Sequence, residues 1–254
     1  MTVDAVLSIE HVSRQFGGVL ALDDVSLSVA AGERHAVIGP NGAGKTTLFN
    51  VVSGELAPTA GTVRLLNRPA TGLPPHAIAR RGLARTFQRN NLLLRLTALE
   101  NVRLAVQAGT AATRRLFTAV RRLPELEDGA REVLRQMDLG DRAAVPAHAL
   151  SYGEQRQLEV AIALAARPRV LLLDEPTSGM SPAETARMSG LLGRLARAQT
   201  VVIIEHDMDV VFALADRITV LYLGRVIASG TPDAVRADAR VQEVYLGTGE
   251  GLDL

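Results

Sequence analysis

The sequence has no cysteine, which excludes disulfides and thiolate metal sites and leaves a cytoplasmic home unopposed. No apolar run approaches the roughly 18 residues needed to span a bilayer. The amino terminus carries Asp4 and Glu10 before any Lys or Arg, unlike the charged start of an export signal. The expectation is a chain that is neither exported nor membrane-spanning. Neither sign of charge is in excess, with 28 Lys and Arg against 27 Asp and Glu, so no overall field argues for nucleic acid and none is expected as a partner. There is no repeat or low-complexity tract, although Ala and Arg are abundant from 105 to 147. What remains is a globular chain of 254 residues, 47% hydrophobic, long enough for one domain or one domain with a satellite.

The stretch Gly39-Pro40-Asn41-Gly42-Ala43-Gly44-Lys45-Thr46-Thr47 has the spacing G-x-x-x-x-G-K-[ST]. Its glycines let successive N–H groups turn inward with no Cβ in the way. Lys45 brings a mobile cation to the β- and γ-phosphates of a nucleotide, and Thr46 offers a hydroxyl to Mg²⁺. This is a P-loop, and it seats phosphates on a helix N-terminus. Ala36-Val37-Ile38 reads as a short buried strand before it, and Thr46 to Val52 as a helix after it, stopped by Gly54.

Around this centre the chain changes period. Residues 6–29 alternate, most cleanly at Val25, Leu27 and Val29 against Ser26 and Ser28, the pattern of a half-buried antiparallel strand. Phe16 precedes Gly17-Gly18 at a strand end, where its ring can stay exposed as a stacking surface for adenine or turn into the core. Gly61 to Leu65 reads as a strand, Pro74-Pro75 opens a short helix to Arg81, and Leu83 to Phe87 is a strand ending in Gln88. From Arg89 to about Leu164 the pattern is helical, with Thr97 capping a helix through Val106 and a second amphipathic segment from Glu125 to Asp138. After Leu150-Ser151-Tyr152-Gly153-Glu154 comes a helix with one buried stripe, Leu158, Ala161, Ile162 and Ala165, whose start directs Ser151 and Gly153 outward. Val170 to Leu173 is a continuous apolar run that fits a buried parallel strand and ends in Asp174 and Glu175. Ligands of open α/β sheets gather at such carboxyl ends. Asp174 is therefore placed to hold Mg²⁺ beside Thr46, and Glu175 to act as a base for water. A second run, Val201 to Ile204, ends in Glu205-His206-Asp207, and Ile218 to Leu223 with Val226 to Ala228 reads as a hairpin joined through Gly224-Arg225.

Read together, these segments resemble an ATP-binding-cassette (ABC) ATPase over residues 5–247, with 248–254 as a polar tail. Phe16 falls where that family places an adenine-stacking aromatic. Gln88 matches the glutamine between core and helical subdomain, which also touches the metal. Leu150 to Glu154 matches the signature LSGGQ with Tyr and Glu replacing Gly and Gln. Asp174 and Glu175 match the metal-holding aspartate and catalytic glutamate, and His206 the switch histidine. The phrases Ala84 to Gln88, Ser151 to Glu159, Ser178 to Pro182, Ile204 to Met208 and Val244 to Gly247 are most similar to ATPase subunits of branched-chain amino-acid importers. Ser181 departs from the family's usual Asp or Asn.

The resemblance implies an α/β fold: a P-loop NTPase core with a mainly parallel sheet and an antiparallel β flank (1–88 and 165–247), and an inserted helical subdomain (89–164). It implies ATP and Mg²⁺ as cofactors, and a second ATPase subunit, this chain or a sister, whose Ser151 and Gly153 close over the γ-phosphate. It further implies transmembrane permease subunits, a periplasmic binding protein in an importer, and a peripheral place on the cytoplasmic face of the inner membrane. ATPases of urea or amide importers and of lipopolysaccharide exporters are similar, and a non-transport ABC ATPase is the rival class. Arg89 to Leu94, just beyond Gln88, form a polar-then-apolar stretch suited to gripping a permease helix.

Overall fold

In the computed structural model the alternating amino-terminal region forms two twelve-residue strands, β1 (Ala5–Phe16) and β2 (Val19–Ala30), paired antiparallel around Gly17-Gly18. The residues described are 5–86, 92–108, 124–195 and 199–247. After β3 (Arg34–Ile38) and α1 (Lys45–Val52), the chain returns as β4 (Ala60–Leu65) and β5 (Arg68–Pro69), giving a four-stranded sheet in the order β2-β1-β4-β5. Its inward residues, among them Leu7, Ile9, Val25 and Val63, share one apolar core with Leu48, Phe49 and Val52 of α1. The flank thus clamps the helix that follows the P-loop.

The second sheet follows α2 (Pro75–Arg80) and uses β6 (Leu83–Arg85), β7 (Val170–Asp174), β8 (Thr200–Ile204), β9 (Arg217–Tyr222) and β10 (Arg225–Gly230) in the order β10-β9-β3-β8-β7-β6. All its pairings are parallel except β9 with β10. Every residue of β7 and β8 is buried, which is why these strands read as unbroken apolar runs. Because β3, β7 and β8 run the same way, the P-loop, Asp174 and His206 leave the sheet at one edge.

The helical region contains α3 (Ala98–Ala108), α4 (Pro124–Gln136) and α5 (Tyr152–Ala165), which pack on one another. Thr97 caps α3 as expected: its Oγ1 accepts from Glu100 N at 3.2 Å while Glu100 Oε2 accepts from Thr97 N at 2.8 Å. The helices α6 (Pro182–Arg194), α7 (Met208–Leu214), α8 (Pro232–Arg236) and α9 (Ala239–Gly247) complete the described chain. None of its helices is long and apolar enough to cross a membrane.

Several details differ from the sequence reading. α5 is buried on more than one stripe, including Arg156, Gln157, Val160 and Leu164, because it lies between α3 and α4 on one side and β6 and β7 on the other. The strand before Gln88 ends at Arg85, and Thr86 Oγ1 then accepts from Asp174 N at 3.1 Å. In the last hairpin the turn residues are Leu223 and Gly224, at φ 47° and 79°, and Arg225 already belongs to β10. Two positive φ values match the twist that a two-residue hairpin requires. Leu92 is a core residue, whereas Leu93 and Leu94 are about half exposed. Residues 87–91 and the tail 248–254, hence Gln88 and Arg89 to Asn91, lie outside the described residues.

Candidate active site

The P-loop backbone is held from behind. Gly39 has φ 148°, and a Cβ there would stand 2.1 Å from Leu221 O; at Gly44, φ 104°, it would stand 2.6 Å from Ala21 O. Any side chain at either place collides with backbone, so glycine is required by packing as well as by φ. The turn Leu223-Gly224 braces the loop through Gly224 N, which donates to Ala43 O at 3.0 Å, and Gly224 O accepts from Asp23 N at 2.9 Å. Pro40 O accepts from Ala43 N at 3.1 Å, closing the bend through Asn41 and Gly42. Gly44 caps α1 with no side-chain hydrogen bond, which leaves the first N–H groups of the helix to a ligand. Thr46 is exposed and Thr47 half-buried.

Lys45 is the only lysine in the sequence, every other strong cation being arginine. It is 8% exposed, and its Nζ donates to Gly39 O at 2.5 Å and Pro40 O at 3.1 Å. A cavity of about 360 Å³ opens beside it, lined by Gly39, Asn41, Lys45, Glu175, His206, Met208 and Tyr245. The sequence-predicted cation, acid and histidine therefore meet in one space. Glu175 sits at φ 47°, a conformation that costs a residue with a Cβ about 1–3 kcal/mol and tends to persist at functional sites. Its N–H donates to Ile204 O at 2.9 Å. The His206 side chain is 62% exposed.

Asp174 is 1% exposed, so it is no solvated strand-end acid. Its Oδ2 accepts from Arg85 Nη2 at 2.8 Å, and Arg85 Nη1 donates to Asn50 Oδ1 at 2.6 Å and Ser53 Oγ at 3.1 Å. The guanidinium thus ties the end of α1 to the end of β7. Asp174 Oδ1 is buried without a hydrogen-bond partner among the described residues.

Ser151 and Gly153 are not part of this cavity. They line a separate small one with Glu154, Gln157, Met180, Glu184 and Arg187. Ser151 is exposed and caps α5, accepting from Glu154 N at 3.2 Å. Burial alone would raise the Glu154 carboxyl, but hydrogen bonds from the Ser151 backbone and from Arg142 outweigh it and hold it below the usual range. Gly153 is buried, contrary to the outward placement expected from sequence, because Glu184 of α6 packs on it: Glu184 Oε1 would be 2.5 Å from a Cβ at this position. Hydrogen bonds from the Ser181 backbone and hydroxyl, and a lesser one from the Gly153 backbone, keep Glu184 below the usual carboxylate range. Phe16 stands at the tip of the β1–β2 hairpin, 42% exposed, with the Arg14 guanidinium 4.5 Å from its ring centre; it is not among the cavity's walls.

Sequence reading missed Arg85, Met208 and Tyr245. Arg85 lies in the quoted phrase Ala84 to Gln88, but only the fold reveals Asp174 as its partner. Tyr245 arrives from α9, 70 residues after Glu175, and no local pattern announces that a carboxy-terminal helix will wall a cavity. A larger cleft, about 1050 Å³, lies at the opposite edge of the sheet near Pro168 and Gln199 and contains none of these motif residues.

A family model described as ABC transporter matches residues 22–178, from β2 to the loop after Glu175. A second, described as branched-chain amino acid ATP-binding cassette transporter, matches 225–251, the stretch that includes Tyr245. The chain is 40% identical over 251 residues to the high-affinity branched-chain amino acid transport ATP-binding protein BraF of Pseudomonas aeruginosa, covering 95% of this chain and 98% of that one. It is 39% identical, with the same coverage, to LivG of Salmonella typhimurium, which bears the same description. Among solved structures, the ADP conformation of an ATP-binding cassette of an ABC transporter superposes with a TM-score of 0.83 at 31% identity, over 96% of this chain and 99% of that one. A dimeric post-hydrolysis cassette bound to ADP and phosphate superposes with a TM-score of 0.76 at 29% identity, over 89% and 98%. Such identity, running nearly end to end through both chains and through the phosphate loop and strand-end acids just described, has one reading: this chain belongs to the ABC transporter family and is one of its ATPases.

Proposed function

We propose that this chain is the energy-coupling ATPase of an importer for branched-chain or other hydrophobic amino acids, acting on the cytoplasmic face of the inner membrane. The observation that carries the reading is the carboxy-terminal match at 225–251 together with 40% identity to a branched-chain amino acid transport ATP-binding protein. In this reading Lys45 leaves the Gly39 and Pro40 carbonyls for the β- and γ-phosphates of ATP, which lie along the N–H groups of Gly42 to Thr47. Glu175 takes the proton of the attacking water, and His206 donates to the γ-phosphate from the same cavity. Phe16 stacks on the base.

The residues fit a divalent cation. Asp174 Oδ1 is a buried carboxylate oxygen still needing a partner among the described residues, and no cluster of three His, Cys, Asp or Glu exists among them. That combination suits Mg²⁺, which takes one or two protein carboxylates and completes its shell with phosphates and water. Asp174 and Thr46, with Gln88, would hold it, and when bound it would draw charge off the phosphate oxygens.

The separation of Ser151 and Gly153 from the cavity of Lys45 and Glu175 supports a two-chain site, in which the signature of one subunit closes over nucleotide on the other, excluding bulk water. The partner subunit is this chain or a sister. The segment 89–164 then serves as the helical subdomain, and Leu93 and Leu94, both exposed, as part of the surface that grips a permease helix. A periplasmic binding protein would deliver the amino acid. Lipopolysaccharide export is the second reading, since the export ATPase LptB of Acidithiobacillus ferridurans is 34% identical over 95% of this chain. Reconstitution with candidate permease subunits decides between them. ATP-dependent leucine uptake into proteoliposomes, lost in Glu175→Gln, is expected; ATP-dependent lipopolysaccharide release with no uptake would replace the importer reading.

A further inference from the structure

We infer that Glu205 is a positioning residue that straps the loop carrying Glu175 to the strand end carrying His206. The inference rests on the reading of Glu175 and His206 as the hydrolytic pair. Strands β7 and β8 are in register to Asp174 and Ile204, and the bond from Glu175 N to Ile204 O at 2.9 Å extends the ladder by one step. Beyond it both chains leave the sheet. Glu175 turns at φ 47° into a bend closed by Ser178 N donating to Glu175 O at 3.2 Å. On the other chain, residues 206–207 lead into α7, which Asp207 caps through Val210 N at 3.2 Å. The ladder no longer holds the two functional side chains at a fixed spacing.

Glu205 supplies the missing tie. It is 1% exposed, and its Oε1 accepts from both Thr177 N, at 2.9 Å, and Thr177 Oγ1, at 2.6 Å. Its Oε2 accepts from His206 N at 3.2 Å. One carboxylate therefore grips the backbone two residues after Glu175 and the backbone of His206 itself. Burial pushes the Glu205 carboxyl up, against the hydrogen bonds from Thr177 that favour its charge. A residue needed only to fill this place would be aliphatic, as Val201 to Ile204 are, because a buried carboxylate is costly unless its bonds do something a methyl cannot. What these bonds do is fix relative position.

The test is steady-state ATP hydrolysis, nucleotide affinity with a fluorescent ATP analogue, and thermal melting, measured on the full chain. Glu205→Ala is expected to lower kcat at least tenfold while affinity stays within threefold, since the P-loop is untouched. Glu205→Gln, whose amide oxygen still accepts from Thr177, should recover a good part of that loss. Thr177→Val, which loses the Oγ1 bond and keeps that from Thr177 N, should lower kcat by less than Glu205→Ala, and the double variant should be no worse than Glu205→Ala alone, as expected for two ends of one tie. If Glu205→Ala fails to fold, Thr177→Val with Glu205→Gln decides the matter. Full kcat in Glu205→Ala or Thr177→Val, additive losses, or a fall in rate matched by equal losses of affinity and melting temperature would overturn the strap. Wild-type turnover in Glu175→Gln would instead overturn the reading on which it rests.

Discussion

Replacing Lys45 by alanine should cost nucleotide binding, and the size of the loss can be worked from the loop. A charge-assisted hydrogen bond to phosphate is worth about 1.5–3 kcal/mol, and two such bonds are available to an ammonium at this position. Against that stands what the ammonium gives up, the bonds to Gly39 O at 2.5 Å and Pro40 O at 3.1 Å. The net loss is about 2–4 kcal/mol, which corresponds to about 30- to 1,000-fold in Kd. Lys45→Arg should rescue little, because the group is 8% exposed and a planar fork needs room that a point charge does not. Calorimetric titration with ATP measures the affinity. The sequence offers a second assay: with one lysine, an amine-selective acylating reagent has a single ε-amine to modify, and saturating ATP should protect it. Binding within threefold of wild type in Lys45→Ala, or acylation as fast with ATP as without, would refute the assignment.

Glu175→Gln should keep ATP affinity and lose nearly all turnover, because the amide preserves shape but cannot take a proton; retained steady-state hydrolysis would remove its role as base. The same variant with Mg-ATP, alone or with a sister subunit, should sediment as a dimer, since one chain presents the two walls of the site in separate cavities; a strict monomer in both cases refutes the sandwich. Phe16→Ala should weaken ATP about fivefold, from a stacking contribution of about 1 kcal/mol, with the melting temperature little changed because the ring is already 42% exposed; unfolding at unchanged affinity would make it a packing residue. At Glu33, burial alone would raise the carboxyl, but the bonds from His35 and the Ala30 backbone hold it below its ordinary 4.5. The stability it contributes is therefore present above that pH and lost as pH falls through the lowered value. Glu33→Gln should flatten the acid limb of stability against pH, and an unchanged limb would show that the contribution lies elsewhere.

What was legible in the sequence was local or periodic. The P-loop announces itself because glycine, lysine and threonine must stand at fixed steps along one turn, and β7 and β8 because full burial leaves apolar runs. Asp174, Glu175 and His206 were readable as strand ends, since the sheet itself decides where they emerge. The rest depends on which elements become neighbours. α5 looked amphipathic because Leu158, Ala161, Ile162 and Ala165 form one stripe, yet Val160 and Leu164 are buried too once β6 and β7 cover its other face. Gly153 looked exposed because nothing in its own helix covers it; Glu184, 31 residues on, does. Nothing local to Arg85 names its partner; it takes the alignment of β6 with β7 to set it against Asp174.

Ser181 shows how such neighbours change the meaning of a departure from a motif. Its hydroxyl donates to Glu184 Oε2 at 2.8 Å and accepts from Glu184 N at 3.4 Å, so its hydrogen-bonding capacity is engaged in capping α6. A short side chain so engaged has little left with which to reach a second chain, where a longer Asp or Asn would have some. The loop from Glu175 to Ser181 is nevertheless not loose. Tyr152, which replaces a signature glycine, donates its hydroxyl to Ser178 O at 2.9 Å, and its ring closes on Gly179. Glu184, held by Ser181, presses on Gly153 from the other end. The first turn of α5 and the loop after Glu175 are therefore joined at two points within one chain. On the two-chain reading proposed above, a shift of Ser151 and Gly153 toward a second subunit would drag the loop that begins at Glu175. In this chain that mechanical link runs through Tyr152 and Glu184, and the serine serves it by keeping Glu184 in place.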